Sequence, residues 1–579
     1  MSYRVRLIIA VIISAILLIL WQVLLNKQQP EQQEITTESI ADTSSTITTP
    51  EPVITTSQQP VLPDTTSYTP DSFAISLTSE DSSPYILGNK DVEITIDPLH
   101  GASVEEIRLL GYQLTTDSDR LSLFPLVDLN NTDSVYQIHP PGRQRGLLFS
   151  VVNQENEQTV ISTGKIPMAV DTTYFNDDTA VVIFSQQVGI HRSYIKYQLP
   201  PQGFMFKVSF WSEGINKRFY QGYLIWEGGL AITEPDLPID QGKRRFFVAM
   251  NPVGYKHWRK SYSDIISGEQ YTDQALWVGM ANQYFMIALI PRGERDSDIA
   301  SSVNFSVPQE GHPYTVTINY GPIQQDTFNF WCYAGPLDER YLAPVGFHLE
   351  ENVEMGWTWL RPISKVILWI LRALHSFIPN YGLVIIIFAL LMMLVFSPLT
   401  LYSQKSMKRM QELQPKLEEL KKKYKDDPKK LNEETIKLYR EESFNPFTGC
   451  LPLLLQMPVF MALYQIMRTT IVLRGEGFLW LHDLSRPETT IPISLPFSSS
   501  PGIGIFPLLM GVLMFLQQKL TNPNPQQKAM TWIMPIFLTY LFISFPSAIV
   551  LYWTSYNLFG LIQQLIIKYK GDLKKIFVK

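Results

Sequence analysis

The stretch that most restricts what this chain can become is Ala529–Ile567, 39 consecutive residues without a charged side chain. A single helix of that length would reach roughly 58 Å, almost twice the bilayer's hydrocarbon core of about 30 Å. Phe545-Pro546-Ser547-Ala548 interrupts it, so the pattern predicts two spans joined by a tight turn. Further uncharged runs occupy Leu7–Asn26, Tyr381–Leu399, Gly449–Met467 and Ile503–Leu516. Six crossings follow, the five carboxy-terminal ones at about 381–399, 449–468, 501–518, 529–545 and 549–567.

Charge placement orients them. Arg4 and Arg6 precede the first run, and no small-residue cleavage site follows it. Residues 1–27 therefore read as an uncleaved signal anchor whose arginines stay in the cytoplasm. The next stretch, 28–89, lacks Lys and Arg entirely and is dense in Ser, Thr, Pro, Gln and acids. Such a composition buries too little apolar surface to offset its ordering entropy, so a flexible exported tether is expected. The basic tail 568–579, with five lysines, returns to the cytoplasm.

Between residues 90 and 344 the texture is that of an antiparallel β sandwich. Val92–Ile96, Tyr194–Tyr197, Phe206–Phe210 and Tyr314–Ile318 alternate with period two, and Gly, Pro, Asn and Asp clusters separate them. About 250 residues suffice for one large core. Its aromatics, Trp211, Trp226, Trp277 and Tyr284, either pack that core or line a carbohydrate or peptide cleft. Cys332 and Cys450 fall in segments of different character, so no structural disulfide is expected, and no metal-ligand cluster is evident.

Residues 345–378 mix Arg361, Lys365 and Arg372 with Trp357, Trp359 and Trp369, the composition of a helix lying in the membrane interface. After span two, closed by Ser397-Pro398, residues 400–445 carry 12 Lys and Arg against 9 Asp and Glu. Met407, Met410, Leu413, Leu417 and Leu420 repeat at helical spacing, and Asp427-Pro428 opens a second helix. This cytoplasmic helical hairpin is either a solvated charged face or a docking surface for a ribosome or targeting factor.

The span 449–468 is unlike a plain lipid anchor. It carries Pro452, Pro458, Gln456, Gln465 and Tyr464, which fit either a proline-kinked packing helix or a working surface inside the membrane.

Taken in order, several local motifs resemble those of the YidC membrane protein insertase family in its Gram-negative form. They are Asn380-Tyr381-Gly382, Ser397-Pro398-Leu399-Thr400, Asn445-Pro446, the run Gly449–Pro458, Leu481-His482-Asp483-Leu484-Ser485, Gln526-Gln527-Lys528 and Phe545-Pro546-Ser547. Trp277-Val278-Gly279 and Gln283-Tyr284-Phe285 extend the likeness into the exported domain. The resemblance implies an α-helical integral membrane protein with six transmembrane helices, a large all-β periplasmic sandwich and a cytoplasmic hairpin. It implies residence in the bacterial inner membrane with both termini cytoplasmic. It also implies an insertase and chaperone that uses a lipid-exposed polar groove, without nucleotide, cofactor, metal or catalytic residues. Its partners would be nascent membrane proteins and the lipid bilayer. The Sec translocon, the ribosome and the signal recognition particle receptor are candidates for hairpin 400–445 and the basic tail, with no direct nucleic-acid readout.

One departure stands out. The family's groove arginine, five residues before the proline of the motif after span two, is Met393 here, and a nearby family Thr falls on Ala389. The groove residues expected are then Met393, Gln456, Thr539, Thr554 and Asn557, with Met457, Phe460, Tyr552 and Trp553 as substrate contacts. The pair Thr554 and Asn557 shares a helix face. Two other readings remain: a specialised paralogue that folds or assembles membrane proteins without inserting them alone, and a transporter with an exported binding domain. The spans hold no charges and no evident repeat, which disfavours the transporter. No His or carboxylate pair lies within them for acid–base catalysis.

Overall fold

The computed structural model describes residues 84–577, apart from 114–119, 125–145, 154–158 and short stretches between 189 and 326 in the β region, and 426, 443, 445–450, 494–501 and 522–527 in the helical region. The expected anchor at 1–27, nearly all of the tether and Cys450 lie outside the described residues. The chain divides at Glu350 into a β unit and a helical unit, each described by itself.

Alternating apolar residues build the β unit. Its strands form three antiparallel sheets of nine, six and four strands. In the nine-stranded sheet Phe210 stands opposite Ile195, and Val208 opposite Tyr197. Directly opposed residues share a face, so Phe210, Val208, Ile195 and Tyr197 all point the same way. That one face meets both smaller sheets. Phe149 of the six-stranded sheet stacks on Phe210 with centroids 4.8 Å apart, while the Tyr197 hydroxyl donates to the Ala102 carbonyl beside the four-stranded sheet at 2.6 Å. Reciprocal hydrogen bonds of 2.9 and 3.0 Å between Val104 of the four-stranded sheet and Gly146, just before a strand of the six-stranded one, tie the two smaller sheets together. The result is a two-layer sandwich.

The first described strand, Tyr85–Gly88, lies within the stretch expected to be tether. Leu87 is buried and Tyr85, on the same face, meets buried Phe184 edge to face at 5.8 Å, but outward-facing Ile86 is apolar too, so the strand lacks the polar–apolar alternation that would mark it in sequence. Trp226, Trp277 and Tyr284 are buried, which makes them core residues rather than a cleft. Half-buried Trp211 instead stacks on Tyr194 at 4.9 Å. Gly101, at φ +73°, turns the chain where any Cβ would meet the Thr163 carbonyl oxygen at 1.6 Å. Cys332 is free and buried, and burial pushes its thiol well above the usual range.

The helical unit comprises α1 (Arg361–His375), α2 (Tyr381–Lys423), α3 (Pro428–Glu441), α4 (Leu451–Thr469), α5 (Ile505–Thr521), α6 (Lys528–Phe542) and α7 (Ser547–Phe577). Along α1, Ser364, Ile367, Leu368 and Leu371 are buried, yet Val366 and Trp369 are exposed. That leaves the helix apolar on its outer side as well, as an interfacial helix requires.

Asn380 caps α2 by accepting from the Leu383 N–H at 3.1 Å. The helix was expected to close at Ser397-Pro398; instead it runs 43 residues, straight through Pro398 and Pro415. A proline inside a helix removes one main-chain hydrogen bond. The apolar packing upstream and the strong helix formers downstream outweigh that loss. At 1.5 Å per residue α2 reaches roughly 64 Å, so its charged half continues the same rod. The chain then turns at Tyr424–Asp427, Asp427 caps α3 through the Lys430 N–H at 3.1 Å, and Lys416 pairs with Glu442. The two helices thus fold back on each other as a hairpin.

The turn between α6 and α7 falls where Phe545-Pro546 places it. Two hydrogen bonds secure it from outside: the Ser547 N–H and the Ala548 N–H donate to the carbonyls of Arg486 and Leu484, at 2.6 and 2.9 Å. Among the described helices, α2 is both long and apolar enough to cross a bilayer, while Ile505–Leu520 and Thr531–Phe542 are shorter apolar segments. Their outer faces expose Leu508, Leu509, Val512, Trp532, Ile533 and Ile536. Apolar stripes of this extent are not left facing water in a soluble protein.

Candidate functional site

The site is assembled from α2, α4 and α7. Phe388 on α2 lies 5.8 Å from Tyr552 on α7, and Gln563 further along α7 hydrogen-bonds Ser397 further along α2. Both helices advance in the same direction between these contacts, so they run parallel. Met393 is half-buried, one turn beyond buried Ala389 and one turn before Ser397, hence at the depth of the middle of α7.

Into this depth α4 brings Gln456. Its side chain lies close to the phenols of Tyr552 and Tyr556. Yet the Nε2 of Gln456 and the Tyr552 hydroxyl are both buried without a hydrogen bond of good geometry. Leaving such a group unpaired costs about 1–3 kcal/mol. Two of them side by side can answer each other by a small rotation, and either can turn instead to a polar atom brought in from elsewhere. The charge-free runs of α2, α4 and α7 contribute no formal charge to it.

One wall is aromatic. Phe460 meets Trp553 edge to face at 5.1 Å and approaches Phe542 at 6.2 Å. Phe542 in turn lies 4.8 Å from Phe545, and Tyr464 closes on Phe545 at 5.0 Å. Met457, next to Gln456, and Met461, next to Phe460, are half-buried.

The structure therefore gathers Gln456, Phe460, Tyr552 and Trp553, with Met393 at their level. Met457 adjoins them on α4, but Thr539, Thr554 and Asn557 are not gathered in the same way. The Thr554 hydroxyl donates to Val550 O at 2.8 Å and to Phe506 O of α5 at 3.3 Å. Asn557 spends its amide on Trp553 O at 2.9 Å. Thr539 sits on the α5–α6 seam, where a Cβ on Gly511 would fall 2.1 Å from its Oγ1. These three serve helix packing. Tyr556 was not anticipated, although its four-residue spacing from Tyr552 puts it on the same face of α7.

On the far side of α5, Glu488 was also missed. Its carboxylate is buried and accepts from Trp480 Nε1 and Thr490 Oγ1 at 2.7 Å each, from the Ile505 N–H at 2.8 Å and from the Phe506 N–H at 2.9 Å. Nothing in its local sequence distinguishes it, because its partners come from three separate stretches.

Comparisons with known proteins identify the family. Residues 373–574 match the family model described as 60Kd inner membrane protein, and residues 87–370 match that of the YidC periplasmic domain. The membrane protein insertase YidC of Chlorobium limicola is 33% identical over 432 residues, 73% of this chain and 72% of that protein. Its counterpart in Prosthecochloris aestuarii is 32% identical over 483 residues, 80% of this chain and 79% of that protein. That of Francisella philomiragia is 36% identical over 304 residues, 52% of each. A solved structure of an active YidC insertase is 20% identical, covers 85% of this chain and 93% of its own, and has a TM-score of 0.36.

Proposed function

We propose that this chain, which belongs to the YidC membrane protein insertase family, passes its substrates along an uncharged pocket between α2, α4 and α7. As a membrane protein insertase it acts on nascent membrane proteins and serves membrane protein biogenesis. The observation that carries the mechanism is the Gln456 side chain set among the phenols of Tyr552 and Tyr556, with its Nε2 and the Tyr552 hydroxyl both buried. A polar segment entering hydrocarbon alone faces a barrier of several kcal/mol. Hydrogen bonds to groups already desolvated lower that barrier without new desolvation at the moment of passage. The Phe460–Trp553 wall offers the substrate's apolar part a surface, and its transfer to lipid supplies the drive.

Helix lengths support the same reading. At 17 and 15 residues, α5 and α6 extend roughly 26 and 23 Å, short of the typical core of about 30 Å. A bilayer thins beside short helices, and so shortens the distance a polar segment must travel. In our reading the chain crosses six times and keeps both termini and the α2–α3 hairpin in the cytoplasm. The β unit is then periplasmic. The hairpin would dock a ribosome, the signal recognition particle receptor or the Sec translocon.

The test is reconstitution. Vesicles containing this protein should insert a single-span substrate faster than protein-free vesicles, and equal rates would defeat the proposal. Met393 favours one second reading, a paralogue that assembles membrane proteins but does not insert charged tails alone. Inability to replace a depleted insertase in cells, together with retained chaperoning of inserted substrates, would select it.

A further inference from the structure

Glu488 is distinguished by where its hydrogen bonds go. Its Oε1 receives Trp480 Nε1, Thr490 Oγ1 and the Ile505 N–H, and its Oε2 receives the Phe506 N–H. Ile505 and Phe506 are the first two residues of α5, so a side chain 17 residues upstream performs the capping that a neighbouring residue usually performs. A carboxylate at that end also meets the positive pole of the helix dipole. Gly504 has no side chain, which permits the approach: a Cβ there would lie 2.6 Å from Glu488 Oε2. The intervening loop is closed at its base by hydrogen bonds of 3.0 and 2.8 Å between Ile491 and Ile503.

Phe506 is also where α5 reaches the pocket helix. Its ring stacks on Trp480 at 4.9 Å, and its carbonyl accepts the hydroxyl of Thr554, which lies between Tyr552 and Tyr556 on α7. At the other end of α5, Gln517 packs against Gly560 of α7. A short apolar helix free to tilt or slide adjusts to the bilayer around it. One fixed at its end imposes its own depth on the bilayer.

We propose that Glu488 is a positioning residue that locks α5 at a fixed depth, and thereby sets the membrane thickness across which the pocket works. The proposal rests on the insertase reading for its consequence, though the depth itself is measurable without it. The expected behaviour is that wild-type α5 holds its depth as the lipid changes, whereas α5 in Glu488→Ala follows the lipid.

The experiment places a fluorophore on Leu520→Cys, with Cys332 and Cys450 replaced by Ala, in full-length protein reconstituted into myristoleoyl or eicosenoyl phosphatidylcholine. Depth is read by quenching with lipids brominated at known positions. Between the two lipids the label should stay in place with Glu488 present and move by about two residues' rise, roughly 3 Å, in Glu488→Ala. Glu488→Gln keeps an acceptor at one oxygen but turns an N–H toward Phe506, so it should move by less, and it serves should the alanine variant fail to fold. Insertion by Glu488→Ala should fall about tenfold in the thick bilayer and remain within about twofold of wild type in the thin one. A label equally fixed in all three proteins would overturn the proposal, as would an equal loss of insertion in both lipids, the mark of a merely structural role. Failure of the wild type to insert anything would count against the insertase reading alone, since the depth measurement still decides the role of Glu488.

Discussion

Gln563 of α7 and Ser397 of α2 are hydrogen-bonded at one end of a parallel seam whose other end is the ring contact between Phe388 and Tyr552. Met393 lies between these two ties. Whatever occupies position 393 is therefore held at the level of the pocket and cannot swing away along the helix.

A cation at that level would change which substrates are favoured. Met393→Arg should increase insertion of substrates with acidic exported tails by more than that of neutral ones. Near the bilayer centre an arginine costs about 2.5–3.5 kcal/mol on insertion scales, which an acidic tail beside it would reduce. Rates for paired acidic and neutral substrates in proteoliposomes check this, and no difference between the pair would show that charge at 393 does not limit transfer.

Gln456→Leu separates stability from activity. It replaces a half-buried amide, whose buried Nε2 has no hydrogen bond of good geometry, with apolar surface, so the folded protein should gain about 1 kcal/mol. Insertion should slow nevertheless, because a hydrogen-bonding group has left the pocket. Denaturation in detergent and transport rates, measured on one preparation, give both signs.

Packing at the start of α2 is less tolerant. A Cβ on Gly382 would meet the Phe478 ring at 2.1 Å, and Tyr381 beside it is stacked on His375 at 3.9 Å. Gly382→Ala should destabilise the helical unit by about 1–3 kcal/mol through overpacking. Thermal unfolding in detergent would show it, and Phe478→Ala should restore much of the loss by making room.

The β unit should weaken in alkali. Burial raises the Cys332 thiol and the Tyr197 and Tyr333 phenols above their usual ranges. Each folded-state value then exceeds the unfolded one, so the neutral groups contribute full stability below the unfolded values. That contribution is lost as pH climbs past about 8.5 for the thiol and about 10 for the phenols. Equilibrium unfolding against pH should show the decline, with the first part missing in Cys332→Ala. Native Cys332 should also resist maleimide until the sandwich opens.

How much of this was legible in the sequence depended on how local the cause was. Val92–Asp97, His191–Leu199, Met205–Glu213 and Thr315–Pro322 are strands where period-two alternation places them, since each signals its own buried face. The break at Phe545-Pro546 and the cap at Asp427 were readable for the same reason. Pro398 misled because a proline's local penalty is outweighed by packing that extends on both sides of it. In the pocket, Gln456 could be named from its polarity within an apolar span, whereas Tyr552 and Trp553 were named from the likeness to the family. That Thr554 and Asn557 turn to the carbonyls one turn back on their own helix was not readable, because a polar side chain there is equally free to face the pocket. Glu488 was invisible, its four donors being spread from Trp480 to Phe506.

The unbroken course of α2 has a mechanical consequence. Phe388 and Met393 belong to the same rigid shaft as Lys416, which is tied to Glu442 beyond the turn. A twist applied to the charged end cannot be absorbed at a loop, because none intervenes. It must be taken up either as bending at Pro398 and Pro415 or as rotation of the very side chains that border Gln456.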